Sequence, residues 1–230
     1  FLKVDDLFMT RQSRFVPRVS PQIPRFIHLD LAVSGDACGF AMGHVAGFNV
    51  KSKEDPANPG HTFETKTPRI YMDMMLRVVP AKGSQIRLNA LRDFIFALRA
   101  YGYPIAMVTA DTYQSTSLIQ ELIRSGFSAE VLSVDVATEK EGHPYAFLRE
   151  AIMDRRIQYY NYPQFLAEVV NLQRFDVVSG GKIKWKVDHP PKMRNLEGNP
   201  VKGCFSGDTT VSLLSGKEVR LDWLAENASG

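Results

Sequence analysis

The sequence predicts an α/β fold built on one mixed sheet. Three opening strands form an antiparallel meander, and later strands alternate with crossover helices. Three observations carry this. Arg25–Val45, RFIHLDLAVSGDACGFAMGHV, holds two apolar runs around a Ser-Gly-Asp turn, and Arg69–Val79, RIYMDMMLRVV, is a third apolar run. Helical and extended patterns then alternate, as crossovers between parallel strands require. Acids interrupt two of the strands: Asp30 lies in the first, and Asp111 ends Pro104–Ala110.

In chain order, residues 1–24 carry Arg11, Arg14, Pro17, Arg18, Pro21 and Pro24 and read as a leader or linker. Residues 26–33 and 39–48 form the acid-bearing hairpin. Residues 51–67, KSKEDPANPGHTFETKT, cluster turn formers and read as a loop in which His61 is solvated. Gln85–Tyr101 spaces Ile86, Leu88, Leu91, Phe94, Ile95 and Leu98 as one face of a helix, closed by Gly102. Ser115 or Thr116 caps the next helix, which runs to Ser125-Gly126. Ala129–Val134 is extended, His143–Arg156 helical and Ile157–Tyr160 extended. Tyr162–Phe175 is a helix with Pro163 in its first turn. Val177–Asp188 is a hairpin turning at Gly180-Gly181. This is the element order of the ribonuclease H-like fold, where strand acids converge at one face.

The 230 residues suffice for one full domain and a small appendage, and 44% hydrophobic with 23% charged residues is the balance of a soluble globular protein. A net charge of +3 permits a polyanionic partner without requiring one. Cys38 and Cys204 are far apart, which excludes a disulfide framework or a Cys/His zinc site and points to a reducing compartment. There is no signal-peptide pattern, no apolar run long enough to span a membrane and no P-loop. The chain begins without Met, as expected of a piece of a longer polypeptide.

Two carboxylates from separate strands of one sheet are oxygen donors suited to Mg²⁺ or Mn²⁺. Two such ions together activate water and stabilise the leaving oxygen of a phosphodiester. Asp30 and Asp111 are the expected ligands. Asp36, at the turn, is expected to ligate or to orient water. Asp73 and Asp188 are reserves, Asp73 being also readable as an outward-facing strand residue. His28 shares a strand face with Asp30 but reads as a satisfied core histidine. Lys182, Lys184 and Lys186 alternate with apolar residues and so share one strand face, which suits either solvent or a phosphate backbone.

The strings HLDLAVSGD and TADTYQS, with MDMMLRVVPAKGSQI between them, resemble the nuclease domain of the large terminase subunit of tailed phages. The resemblance runs in order over roughly residues 20–203. It implies a ribonuclease H-like, metal-dependent endonuclease that cuts concatemeric double-stranded viral DNA during packaging in the host cytoplasm. Asp30, Asp36 and Asp111 match the family's acids. An ATPase motor domain would precede residue 1, and the portal and small terminase subunit would be partners.

The family continues past a VDHPP-like segment to a last metal-binding aspartate, but here CFSGDTTVSLLSGKEVRLDWLAE follows. That stretch resembles the opening of a Hint-type intein. Cys204 matches the first intein residue, and Gly203 the last host residue. Its chemistry would be attack of the Cys204 thiol on the Gly203 carbonyl. The expected organisation is therefore a linker over 1–24, a nuclease domain over 25–203 and a truncated intein segment over 204–230. Two alternatives stay open: a catalytically incomplete DNA-binding fragment, and another ribonuclease H-like nuclease of resolvase or integrase type.

Overall fold

The computed structural model describes residues 11–12, 22–31, 38–78, 85–111, 115–132, 144–179, 182–188, 193–194, 200–201, 210–212 and 218–220. The strands of the main sheet are β1 (Arg11–Gln12), β2 (Arg25–Asp30), β3 (Cys38–Glu54), β4 (Thr62–Val78), β5 (Ile105–Ala110), β6 (Ala129–Val131) and β7 (Ile157–Tyr160). The helices are α1 (Leu88–Ala100), α2 (Thr116–Arg124), α3 (Pro144–Met153) and α4 (Pro163–Asn171). In space the strands run β1-β7-β4-β3-β2-β5-β6. β2, β3 and β4 form the expected antiparallel meander, while β5 lies parallel to β2 and β6 parallel to β5. This is the ribonuclease H-like mixed sheet, with β7 added parallel to β4 and β1 parallel to β7.

β2 alternates strictly, which decides what each face does. Arg25, Ile27 and Leu29 are buried, whereas Phe26, His28 and Asp30 point to the accessible face. Ile27, Leu29, Phe40 and Met42 pack with Leu91, Phe94, Ile95 and Leu98 of α1 and with Leu118, Ile119 and Leu122 of α2. Burying each such side chain contributes about 1.5–3 kcal/mol. A second cluster joins Met75 of β4 and Ile157 and Tyr159 of β7 to Ile152 of α3 and Leu166 and Val169 of α4. Within the described residues, no helix is long and apolar enough to cross a membrane.

The structure corrects several boundaries. Residues 51–67 are not a loop: β3 and β4 are each 17 residues long and pair from Cys38↔Val78 to Glu54↔Thr62. Thr62, Thr65, Thr67 and Phe63 have the β-branched and aromatic character that strands favour. The turn formers are confined to the tip, where Asp55 accepts the Ala57 amide at 2.9 Å and the Asn58 side-chain amide at 2.7 Å. His61 is exposed there, as expected. Gly47, at φ 148°, marks a bulge where this ribbon leaves the sheet. The last helix ends at Asn171 instead of reaching Phe175, because Leu172 turns extended and the chain enters β8 (Gln173–Ser179). β8 pairs with β9 (Lys182–Asp188), so the expected hairpin begins four residues before Val177. Two pairs of shorter strands follow: β10 (Met193–Arg194) with β11 (Pro200–Val201), and β12 (Thr210–Ser212) with β13 (Glu218–Arg220).

Asp73 is not an outward-facing strand residue. It is buried, with Arg25 Nε at 2.9 Å and His44 Nδ1 at 2.7 Å from its Oδ2. The His44 ring stacks on Tyr71 at 5.3 Å, and the Arg25 guanidinium lies over Tyr103 at 5.6 Å. Burial raises the Asp73 carboxyl above its ordinary range, and His44 and Arg25 oppose that rise. The cluster gathers at the Arg25 end of β2, roughly 16 Å along the strand from Asp30 at 3.3 Å per residue. Removing one partner of a buried charge pair costs about 3–5 kcal/mol. Asp73→Ala should therefore lower unfolding free energy by about that amount in urea. Its folded fraction should bind Mn²⁺ as the unaltered chain does.

Candidate active site

The parallel pairing of β2 and β5 brings Asp30 and Asp111 together. Leu29 pairs with Ala110, so the next residue of each strand is an aspartate. The Asp111 amide donates to the Leu29 carbonyl at 3.2 Å, extending the ladder one step. The Leu31 amide in turn donates to Asp111 Oδ1 at 3.3 Å and fixes that carboxylate. The buried Ser115 hydroxyl, just ahead of α2, donates to the Asp111 carbonyl and ties the strand end to the helix start.

Asp30 belongs to the accessible face, not to the core as its apolar neighbours imply. It still occupies a cleft that partly excludes water. Desolvation raises its carboxyl above the ordinary range, the Asp111 charge adds to the rise, and a hydrogen bond to Asp111 fits the protonated form. Two carboxyls close enough to share a proton are the arrangement a hard divalent cation relaxes, so the residues fit Mg²⁺ or Mn²⁺. Within the described residues, no three His, Cys, Asp or Glu side chains form a group able to hold a metal ion. Asp36, Gly203 and Cys204 lie outside the described residues. So do the side chains of Lys182, Lys184, Lys186 and Asp188. The backbone places Lys182, Lys184 and Lys186 opposite Ser179, Val177 and Phe175, and Asp188 opposite Gln173.

His28 is at the site and not in the core. Thr109 Oγ1 donates to the Ile27 carbonyl at 3.2 Å, so its 2.9 Å contact with His28 Nδ1 assigns the proton to Nδ1 and leaves Nε2 an acceptor. Desolvation lowers the His28 pKa, opposed by the charges of Asp30 and Asp111.

A cavity of about 240 Å³ opens beside Asp30, between β2–β3–β4 and the start of α4. Gly39 lines it with bare backbone and Ala41 with a methyl group, Met72, Met75, Tyr162 and Phe165 line it with apolar side chains, and His28, Arg77 and Glu168 bring polar groups. The Tyr160 hydroxyl accepts the Met75 amide at 2.7 Å and donates to the Met75 carbonyl at 2.9 Å. The Tyr162 hydroxyl bonds the Arg77 backbone. These phenols complete the edge of β4 where β7 has stopped pairing with it, and they fix the entry into α4. Burial raises the Glu168 carboxyl to about 7; Arg77 opposes this and Asp30 adds to it.

Sequence reasoning missed Glu168 and Arg77. The available signal was that Glu168 is the only charged residue of PQFLAEVVN, a helix otherwise free to be apolar. In the folded state Glu168 keeps its proton up to about pH 7, against an ordinary value of 4.5. The native state thus binds more protons across that window, and its stability falls as pH rises through it. In EDTA, Glu168→Gln should match the unaltered chain in urea at pH 4. At pH 8 it should be more stable by about 1–3 kcal/mol.

The chain matches no sequence-defined protein family and no curated protein. Among solved structures it is similar to the large terminase nuclease from thermophilic phage G20c, 14% identical over 88% of each chain with TM-score 0.49. The Thermus phage P74-26 large terminase nuclease domain is likewise 14% identical, over 88% of this chain and 85% of that one, with TM-score 0.48. The HK97 bacteriophage large terminase is 11% identical over 87% of this chain and 38% of its own length, with TM-score 0.48.

Proposed function

We propose that the chain is a divalent-metal-dependent endonuclease domain for double-stranded DNA, of the large-terminase kind that cuts concatemeric viral genomes during packaging. The observation that carries this is the Asp30–Asp111 pair, set side by side by the β2–β5 register at one end of the sheet. The HLDLAVSGD and TADTYQS strings that deliver both acids support the terminase assignment. Asp30 and Asp111 hold the cation, and Asp36 joins them from the turn or orients water. Lys182, Lys184 and Lys186 share a face of β9 by alternation and contact the phosphate backbone. Interruption of this domain at Gly203–Cys204 by an intein start is part of the same proposal. The antiparallel pairing of β12 with β13 supports it.

The reaction is hydrolysis of a phosphodiester. Water oxygen bonds to phosphorus, a bridging P–O bond breaks, and the released oxygen takes up a proton as an alcohol. Mg²⁺ or Mn²⁺ at the acid pair, one ion or two, would supply charge neutralisation and a more acidic water. The chain's own groups do the positioning. The Leu31 amide orients the Asp111 carboxylate, the Thr109 hydroxyl fixes the His28 ring, and the lack of a side chain at Gly39 with only a methyl at Ala41 keeps the face beside Asp30 low.

Supercoiled plasmid incubated with Mn²⁺ should be nicked and linearised by the unaltered chain. Asp30→Ala and Asp111→Ala should each slow this by about a hundredfold or more, and EDTA should abolish it. Cutting that survives Asp30→Ala would overturn the assignment. Absence of cutting, with duplex still retained at low salt, would make the chain a DNA-binding fragment instead.

A further inference from the structure

Hydrolysis of a phosphodiester at the acid pair uses oxygen donors, water and charge. The cavity beside Asp30 offers mostly the opposite: Met72 and Met75 from β4, and Tyr162 and Phe165 at the start of α4. Such a wall does nothing for a phosphate, and leaving it open to water is unfavourable. Its two rings are also held from behind. Phe165 meets the buried Tyr159 edge-on at 5.0 Å, and the Tyr162 hydroxyl bonds the Arg77 backbone. The strand side is bare by contrast. Gly39 has no side chain, and a Cβ there would lie 3.5 Å from the Asp30 Cβ. Ala41 adds only a methyl group. The space left is about 240 Å³. That equals roughly eight waters of liquid and falls below the ~300 Å³ at which pockets for drug-sized molecules begin. It suits one planar ring system better than a whole nucleotide. Glu168 and Arg77 bring a carboxyl and a guanidinium to the same space, where they can hydrogen-bond the edge of a ring whose faces rest on apolar groups. Apolar faces and a polar edge describe a nucleobase.

We propose that this cavity receives one nucleobase of the DNA strand being cut, unstacked from its neighbours, while the adjoining phosphate lies at Asp30 and Asp111. This deepens the nuclease assignment above and rests on it. Tyr162, Phe165 and the two methionines bear on the ring faces, and Glu168 and Arg77 meet its edge. Stacking on aromatic groups accepts every base, so the capture brings no strong sequence preference. The Glu168 carboxyl, raised to about 7, donates and accepts when protonated and only accepts when ionised, so it does not select a single base edge either. Holding the base fixes the neighbouring phosphate over the acid pair. Unstacking costs least where a base is already unpaired, so cutting is fastest where the two strands are separated.

The test uses the full chain at saturating Mn²⁺ and three substrates: a paired duplex, the same duplex with a central bubble of unpaired bases, and that bubble with abasic sites in place of its bases. Unaltered protein, Ala41→Leu, Phe165→Leu and Asp30→Asn are compared, with thermal unfolding confirming that each is folded and calorimetry measuring Mn²⁺ binding. The unaltered chain is expected to cut the bubble about tenfold faster than the paired duplex. It should also cut the bubble about tenfold faster than the abasic one. Ala41→Leu fills the cavity and Phe165→Leu removes a ring; each should bring the ratio of bubble to abasic cutting close to one while Mn²⁺ binding is kept. Asp30→Asn should abolish cutting of all three. If the ratio is close to one in the unaltered chain, or is unchanged in the folded variants, the cavity receives no base and the acid pair stands alone. If Asp30→Asn cuts as the unaltered chain does, or the unaltered chain binds no Mn²⁺, the nuclease assignment falls and this proposal falls with it. If Ala41→Leu does not fold, Phe165→Leu decides by the same ratio. Free dAMP is titrated against the Mn²⁺-loaded chain to separate the sources of a base: saturable binding of dAMP, with cutting indifferent to bases, makes this a site for free nucleotides and overturns the proposal.

Discussion

The structure depends on one register. β2 and β5 run parallel with Leu29 against Ala110, so Asp30 and Asp111 leave the sheet together at the same height. Two carboxylates in that position repel, and Asp30 stays protonated toward Asp111 beyond its ordinary range. A shift of one residue in either strand would turn its acid to the other face and into the α1–α2 core. The apolar contacts of Ile27, Leu29, Val108 and Ala110 forbid that shift, so the packing that stabilises the sheet also holds its least comfortable electrostatic feature.

The remainder of the site comes from the opposite side of the meander. β7 pairs with β4 only through Ile70↔Ile157 and Tyr71↔Gln158, after which Tyr160 and Tyr162 substitute phenol hydroxyls for strand partners. That substitution lets the chain leave the sheet early and lay α4 beside the accessible face. A cavity with one acidic wall on β2 and another on α4 is the result. The buried charges at the other end of β2, around Asp73, belong to stability rather than chemistry.

Much of this was legible in the sequence because local pattern and tertiary role agree. The alternation of β2, the helical spacing of α1 and the acids at two strand ends each carry their own signal. The β3–β4 ribbon was not legible, since Pro56, Asn58, Pro59 and Gly60 at its tip outweigh the weaker strand character of its arms. Asp73 was ambiguous for a different reason. Its partners Arg25 and His44 are 48 and 29 residues away and meet it only through the antiparallel register. Glu168 was hidden likewise, because a single acid in a short helix looks solvated until the phenols of Tyr160 and Tyr162 are seen to set that helix against the sheet.

The most direct test of the central claim is where a divalent cation settles. Crystals of the full chain soaked in Mn²⁺ and measured for anomalous scattering should show a peak bridging the carboxylates of Asp30 and Asp111. A Mn²⁺ peak elsewhere, with those two carboxyls still hydrogen-bonded to each other, would contradict the account.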